Sequence, residues 1–141
     1  MPVVDASVVI DWVVPGTSVG SPPVRLRNRL AAAGAVILAP RLLFEEVSNG
    51  LIAGIRRRRW SGAAADTSHS LLMRLPLRAA DDRRDNARAW ELARRYDNHP
   101  VYDMIYVALA ERAGTQLITA DESLRRRLAH LRWVVSPEDA T

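Results

Sequence analysis

Four acidic residues, spread from one end of the 141-residue chain to the other, carry the chemistry open to it: Asp5, Glu46, Asp103 and Asp121. Asp5 follows the apolar Pro2-Val3-Val4, and Asp121 follows the apolar Leu117 to Ala120, so each stands where a short buried strand is expected to end. In an open parallel sheet, ligands bind beyond the carboxyl ends of the strands, near the point where strand order reverses. If these two strands are neighbours, carboxylates from opposite ends of the sequence meet there. Asp103 falls in the first turn of a helix read from the apolar run Met104 to Ala113, with Pro100 just ahead of it and Gly114 just behind as the expected start and stop residues. The longest predicted helix offers Glu45 or Glu46; Glu46 borders the apolar stripe of Leu43, Val47, Leu51 and Ile55 and is the one tilted toward the protein.

Each acid taken singly also has an ordinary structural use. Asp5 and Asp121 suit helix N-caps, Asp103 suits the positive end of a helix dipole, and Glu46 suits a solvated helix face. Together they raise a problem of charge. Two carboxylates about 5 Å apart repel by roughly 3 kcal/mol at an effective dielectric of 20. Several such pairs would offset most of a typical stability of about 5 to 15 kcal/mol, so a cluster needs either protons or a cation. All-oxygen ligation suits Mg²⁺ or Mn²⁺ and not zinc, and His69, His99 and His130 lack a zinc-site spacing.

The elements that must position these acids alternate strand and helix. Val3-Val4 is a strand, Val8, Val9, Trp12 and Val13 have helical spacing, and residues 15–23 form a loop rich in proline, glycine and serine. A helix over Val24 to Ala33 and a buried strand over Ala35 to Ala39 follow. The long helix over Pro40 to Trp60 contains Gly50 and Gly54, a pair that predicts close approach of another helix. Ser61 caps a helix to about Leu75, Leu77 to Ala79 is a brief strand, and Asp81 or Asp82 opens a helix ending near Asn98. Beyond Asp121, a short helix carries Leu124, Leu128 and Leu131, and Trp133 to Val135 is a last strand. Such alternation in one short chain, with no linker, repeat or low-complexity segment, predicts one α/β domain over residues 1–141, with a parallel sheet between helices.

Composition narrows the function classes. Cysteine is absent, which excludes disulfides and thiolate metal sites and fits a reducing cytosol. No apolar run reaches the length of a membrane span, so a soluble, cytoplasmic protein is expected. The net charge is +4, and all 20 basic residues are arginine, whose planar fork suits phosphate or carboxylate partners. Arg56 to Arg59, Arg83-Arg84, Arg94-Arg95 and Arg125 to Arg127 are candidates to guide an RNA backbone or an acidic protein segment. Solvation of helix ends explains such runs equally well.

Asp5 in VVDASVVIDW, Glu46 in APRLLFEEVSNGL, Asp103 in PVYDMIYVALAERAG and Asp121 in LITADESL together resemble the PIN-domain ribonucleases, most closely the VapC toxins of VapBC toxin-antitoxin modules. The resemblance spans nearly the whole chain and rests on four motifs in order. It implies a three-layer α/β/α fold with about five parallel strands ordered 3-2-1-4-5, first and fourth adjacent. It implies that Asp5, Glu46, Asp103 and Asp121 are both the catalytic residues and the holders of Mg²⁺ or Mn²⁺, with Ser7 and Thr119 as secondary candidates. The implied activity is endoribonucleolytic hydrolysis by a metal-activated water. The implied partners are an RNA substrate, a VapB-type antitoxin that wraps the toxin and blocks the site, and a second copy of the chain.

Rival readings lack their own residues. A phosphoacceptor receiver domain requires a lysine, and the chain has none. A haloacid-dehalogenase-like phosphatase would place an aspartate where Ser7 stands, and a dinucleotide-binding enzyme needs a glycine-rich turn where DASVVI stands. A PIN enzyme of RNA processing and a non-catalytic PIN-like binding module are the nearer alternatives.

Overall fold

A computed structural model describes residues 1–140. The first half of the chain forms β1 (Val3–Val4), α1 (Ala6–Val13), α2 (Pro22–Ala32), β2 (Ile37–Ala39), α3 (Leu42–Arg56) and α4 (Gly62–Arg74). The second half forms β3 (Leu77–Ala79), α5 (Arg83–Arg95), α6 (Val101–Ala113), β4 (Leu117–Ile118), α7 (Glu122–Arg127) and β5 (Val134–Val135). All neighbouring strands pair in parallel, in the order β3-β2-β1-β4-β5. This is the three-layer α/β/α arrangement with the expected strand order.

The register sets what stands at the sheet's carboxyl edge. Val3 is level with Leu117 and Val4 with Ile118, so Asp5 leaves β1 beside Thr119, two residues before Asp121. Right-handed crossovers carry α1 to α4 over one face while the chain steps from β1 out to β3. The return from β3 to β4 then carries α5 and α6 over the other face, where α6 packs on β1 and β4. Helix α3 begins where β2 ends, and α6 runs toward the start of β4, so the first turns of both lie at the carboxyl edge.

Local chemistry explains most boundaries. Asp5, Ser61, Asp82 and Asp121 are N-caps whose side chains accept backbone N–H groups of α1, α4, α5 and α7. Gly114 ends α6 in the left-handed conformation at φ 65°. Pro22 and Pro23, expected in a loop, instead open α2, where a missing N–H removes no helical hydrogen bond. Strand β2 starts at Ile37, later than expected, because Ala35 still closes the end of α2 through its N–H to Leu30 O. Strand β4 stops at Ile118, and the N–H of Ala120 turns to the Ser7 hydroxyl. The core gathers Val3, Val4, Val8, Val9, Leu43, Val47, Met104, Tyr106, Val107, Leu117 and Ile118. Among the described residues, no helix is long and apolar enough to cross a membrane.

The long helix is where the sequence reading needs correction. It ends at Arg56, not Trp60, because Arg58 takes a positive φ of 56° and folds the chain back. Gly50 does admit a helix: a β-carbon there would collide with Ile10 of α1. Gly54 does not; it admits the indole of Trp60, whose Nε1–H donates to Leu51 O at 3.0 Å. Gly54→Ala is therefore expected to lower unfolding free energy by about 1 to 3 kcal/mol through overpacking, although alanine favours a helix interior by about 1 kcal/mol. Urea denaturation followed by tryptophan fluorescence measures it, and an unchanged or raised midpoint would refute the close packing.

Candidate active site

Asp103 lies near both Asp5 and Glu46 at the carboxyl edge. The negative charge of Asp103 acts on both Asp5 and Glu46, which places the first turn of α6 next to the end of β1 and the second turn of α3. Burial, with the Asp103 charge adding to it, pushes the Asp5 carboxyl up to about 6, while hydrogen bonds from Ser7 and Thr119 pull the other way. Glu46 is also raised, chiefly by burial, with Asp103 again adding and the Tyr106 hydroxyl opposing. Glu45 is exposed and Glu46 half-buried, as the helical face requires.

Asp121 joins this edge through the backbone. Its N–H donates to Thr119 Oγ1 at 3.0 Å, and its own Oδ1 accepts from Leu124 N at 3.0 Å as the cap of α7. Thr119 is fully buried and lies 3.4 Å from Ser7 Oγ. Ser7 Oγ gives its one proton to Asp5 Oδ1 and accepts from Ala120 N at 2.9 Å, while the Thr119 hydroxyl beside it also bonds the Asp5 carboxylate. Two small hydroxyls thus tie the end of β1 to the end of β4.

The acids share one pattern. Glu46 Oε1 accepts from Tyr106 Oη at 2.6 Å, Asp103 Oδ2 contacts His99 Nε2 at 2.6 Å, and Asp121 Oδ1 is the cap acceptor. The second oxygens, Glu46 Oε2, Asp103 Oδ1 and Asp121 Oδ2, have no hydrogen-bond partner among the described residues. Tyr106 is deeply buried, and burial together with the Glu46 hydrogen bond raises its pKa, so it remains a phenol and a donor. Among the described residues, no three Asp, Glu or His side chains already stand together as a metal cluster. The donor set nevertheless fits a hard divalent ion: one oxygen each of Glu46, Asp103 and Asp121 is fixed by the protein and another is left over, the usual division between orienting and ligating contacts.

Tyr106 and His99 escaped the sequence reading. Tyr106 sits in an apolar helical run, three residues after Asp103, and His99 lies four residues before it. The spacing of Tyr106 from Asp103 on one helix is the signal available for it, whereas His99 precedes the helix cap Pro100 and carries no such signal. An apolar cavity of about 950 Å³ lies at the other edge of the sheet, beside Pro2, Leu30, Thr115 and Trp133. Its charged side chains, Arg29 and Glu111, are engaged with Pro137 O and Arg88.

A family model described as the PIN domain matches residues 3–128. The chain belongs to the PIN-domain family. PIN domains are generally metal-dependent nucleases, and divalent ions are their usual cofactors. No curated protein matches this PIN domain.

The raised Asp5 carboxyl has a measurable consequence. The ordinary aspartate value is 3.8, so between about pH 4 and 6 the folded protein holds a proton that the unfolded chain releases. That contribution is fully present below pH 4 and is lost as pH rises through 6. In EDTA at pH 7, Asp5→Asn is expected to stabilise the fold by about 2 to 3 kcal/mol, with little effect at pH 4. Equal stability differences at pH 4 and pH 7 in denaturant titrations would exclude the raised value.

Proposed function

We propose that this PIN domain is an endoribonuclease, the VapC-type toxin of a type II toxin-antitoxin pair, and that it uses Mg²⁺ or Mn²⁺ held by Asp5, Glu46, Asp103 and Asp121. What supports the nuclease reading is the approach of the Asp103 charge to both Asp5 and Glu46 at the sheet edge, at a cost in charge that a divalent ion would offset. When bound, such an ion supplies an acidified water and positive charge for a phosphodiester.

The chain's own residues supply orientation and charge. Ser7 and Thr119 steady Asp5, Tyr106 steadies Glu46, and the Thr119 hydroxyl holds the backbone of Asp121. A carboxylate of this set would also accept the proton of the attacking water. No histidine is needed as the base. Arg125 and Arg127 are occupied by backbone carbonyls of Thr119 and Tyr96, and Arg84 by Asp82. The side chains of Arg126, Arg56, Arg57 and Arg58 have no hydrogen-bond or ion-pair partner among the described residues, and these arginines are candidates to meet an RNA backbone or the acidic tail of an antitoxin.

Asp103→Asn and Glu46→Gln are each expected to lower RNA cleavage by at least about 100-fold while leaving the circular dichroism spectrum unchanged, and EDTA should do the same to the wild type. Because the attacking group is water, the cut ends carry a phosphate monoester and no 2′,3′-cyclic phosphate. Cyclic ends, or cleavage that persists in EDTA, would defeat the mechanism. Co-expression with the product of an adjacent small reading frame should relieve toxicity and co-purify as a complex; growth unaffected by the wild-type chain would favour an RNA-processing role.

A further inference from the structure

His99 is not accounted for by the four acids. Its side chain is 9% exposed, against 31% for Asp103, so it lies behind the carboxylate. Its Nε2 is 2.6 Å from Asp103 Oδ2, and its Nδ1 is 3.1 Å from Arg127 Nη1. The same Nη1 donates to Tyr96 O at 2.7 Å. A guanidinium has donors and no acceptor, so Nδ1 must accept, and the ring proton resides on Nε2 and is given to Asp103. The three side chains therefore form a chain of fixed sense, from Arg127 on α7 through His99 to Asp103 on α6.

The backbone that presents His99 is specialised as well. Asp97 and Asn98 occupy the left-handed region at φ 57° and 58°, a conformation costly for residues with a β-carbon and best tolerated by these two types. This turn brings the His99 N–H back to Ala93 O and Tyr96 O. A histidine serving only to close the α5–α6 hairpin would not need a carboxylate on one nitrogen and a guanidinium on the other.

We propose that His99 is a positioning residue for Asp103: Arg127 fixes its tautomer, and its Nε2–H holds Oδ2 so that Oδ1 faces the ion site. This rests on the metal-dependent reading above. Outer contacts of this kind alter metal affinity by about 10- to 100-fold in other sites. Mn²⁺ binding to the full chain, without RNA, is measured by electron paramagnetic resonance or calorimetry. His99→Ala is expected to weaken Mn²⁺ binding by about 10-fold, whereas His99→Gln, whose amide N–H replaces Nε2–H, stays within about threefold of the wild type. Arg127→Ala, which leaves the imidazole in place with its tautomer unfixed, weakens binding by about threefold and decides the matter should His99→Ala not fold. Wild-type affinity in His99→Ala or Arg127→Ala, or His99→Gln no better than His99→Ala, overturns this proposal alone. A wild-type chain that binds no Mn²⁺ overturns it together with the metal reading.

Discussion

Like charge confined at a half-buried sheet edge is the constraint on which the structure turns. Asp103 stands close enough to both Asp5 and Glu46 to raise their affinity for protons, and burial acts in the same direction. Left bare, such a group favours a proton or separation. The fold opposes separation by giving each acid its own tether: Ser7 and Thr119 for Asp5, Tyr106 for Glu46, His99 for Asp103, and the first turn of α7 for Asp121. Each tether is a donor, so each lowers the cost of negative charge without removing it. A site built this way retains its charge for a cation.

The topology makes the meeting possible. Because β1 lies between β2 and β4, the chain enters the sheet at its centre and returns beside its own start. Glu46 then arrives from the helix that follows β2, and Asp103 from the helix that precedes β4. The hydrogen bond from Tyr106 to Glu46 joins α6 to α3 around the end of β1. The aspartate caps of α1 and α7 serve two ends at once, since the first turn fixes one carboxylate oxygen of each. Capping and ion binding are compatible uses of one side chain, which is why the ordinary role of each acid never argued against the other.

Much of this architecture was legible in the sequence, and its gaps have physical causes. Two of the short strands were visible because they are apolar and closed by aspartate or proline, Val3-Val4 before Asp5 and Ile37 to Ala39 before Pro40. The strand order came from the resemblance, since periodicity says nothing of which strands pair. The choice of Glu46 over Glu45 could be read from helical phase, and the half-buried position of Glu46 follows it. Trp60 over Gly54 could not be read, because it depends on a left-handed arginine at 58, which composition does not favour. The contacts of His99 and Tyr106 were hidden for another reason. Helical spacing puts Tyr106 on the same helix as Asp103 and the turn at Asp97 and Asn98 delivers His99 just ahead of it, but only the tertiary placement of α3 and α7 supplies Glu46 and Arg127 as their partners.

The central claim is that these carboxylates gather around one hard ion. Crystals soaked in Mn²⁺ and measured across the manganese absorption edge test it most directly. The account predicts an anomalous peak in contact with oxygens of Asp5, Glu46 and Asp103 at the carboxyl edge of β1. A peak confined to other residues, or none in crystals that withstand the soak, would contradict it.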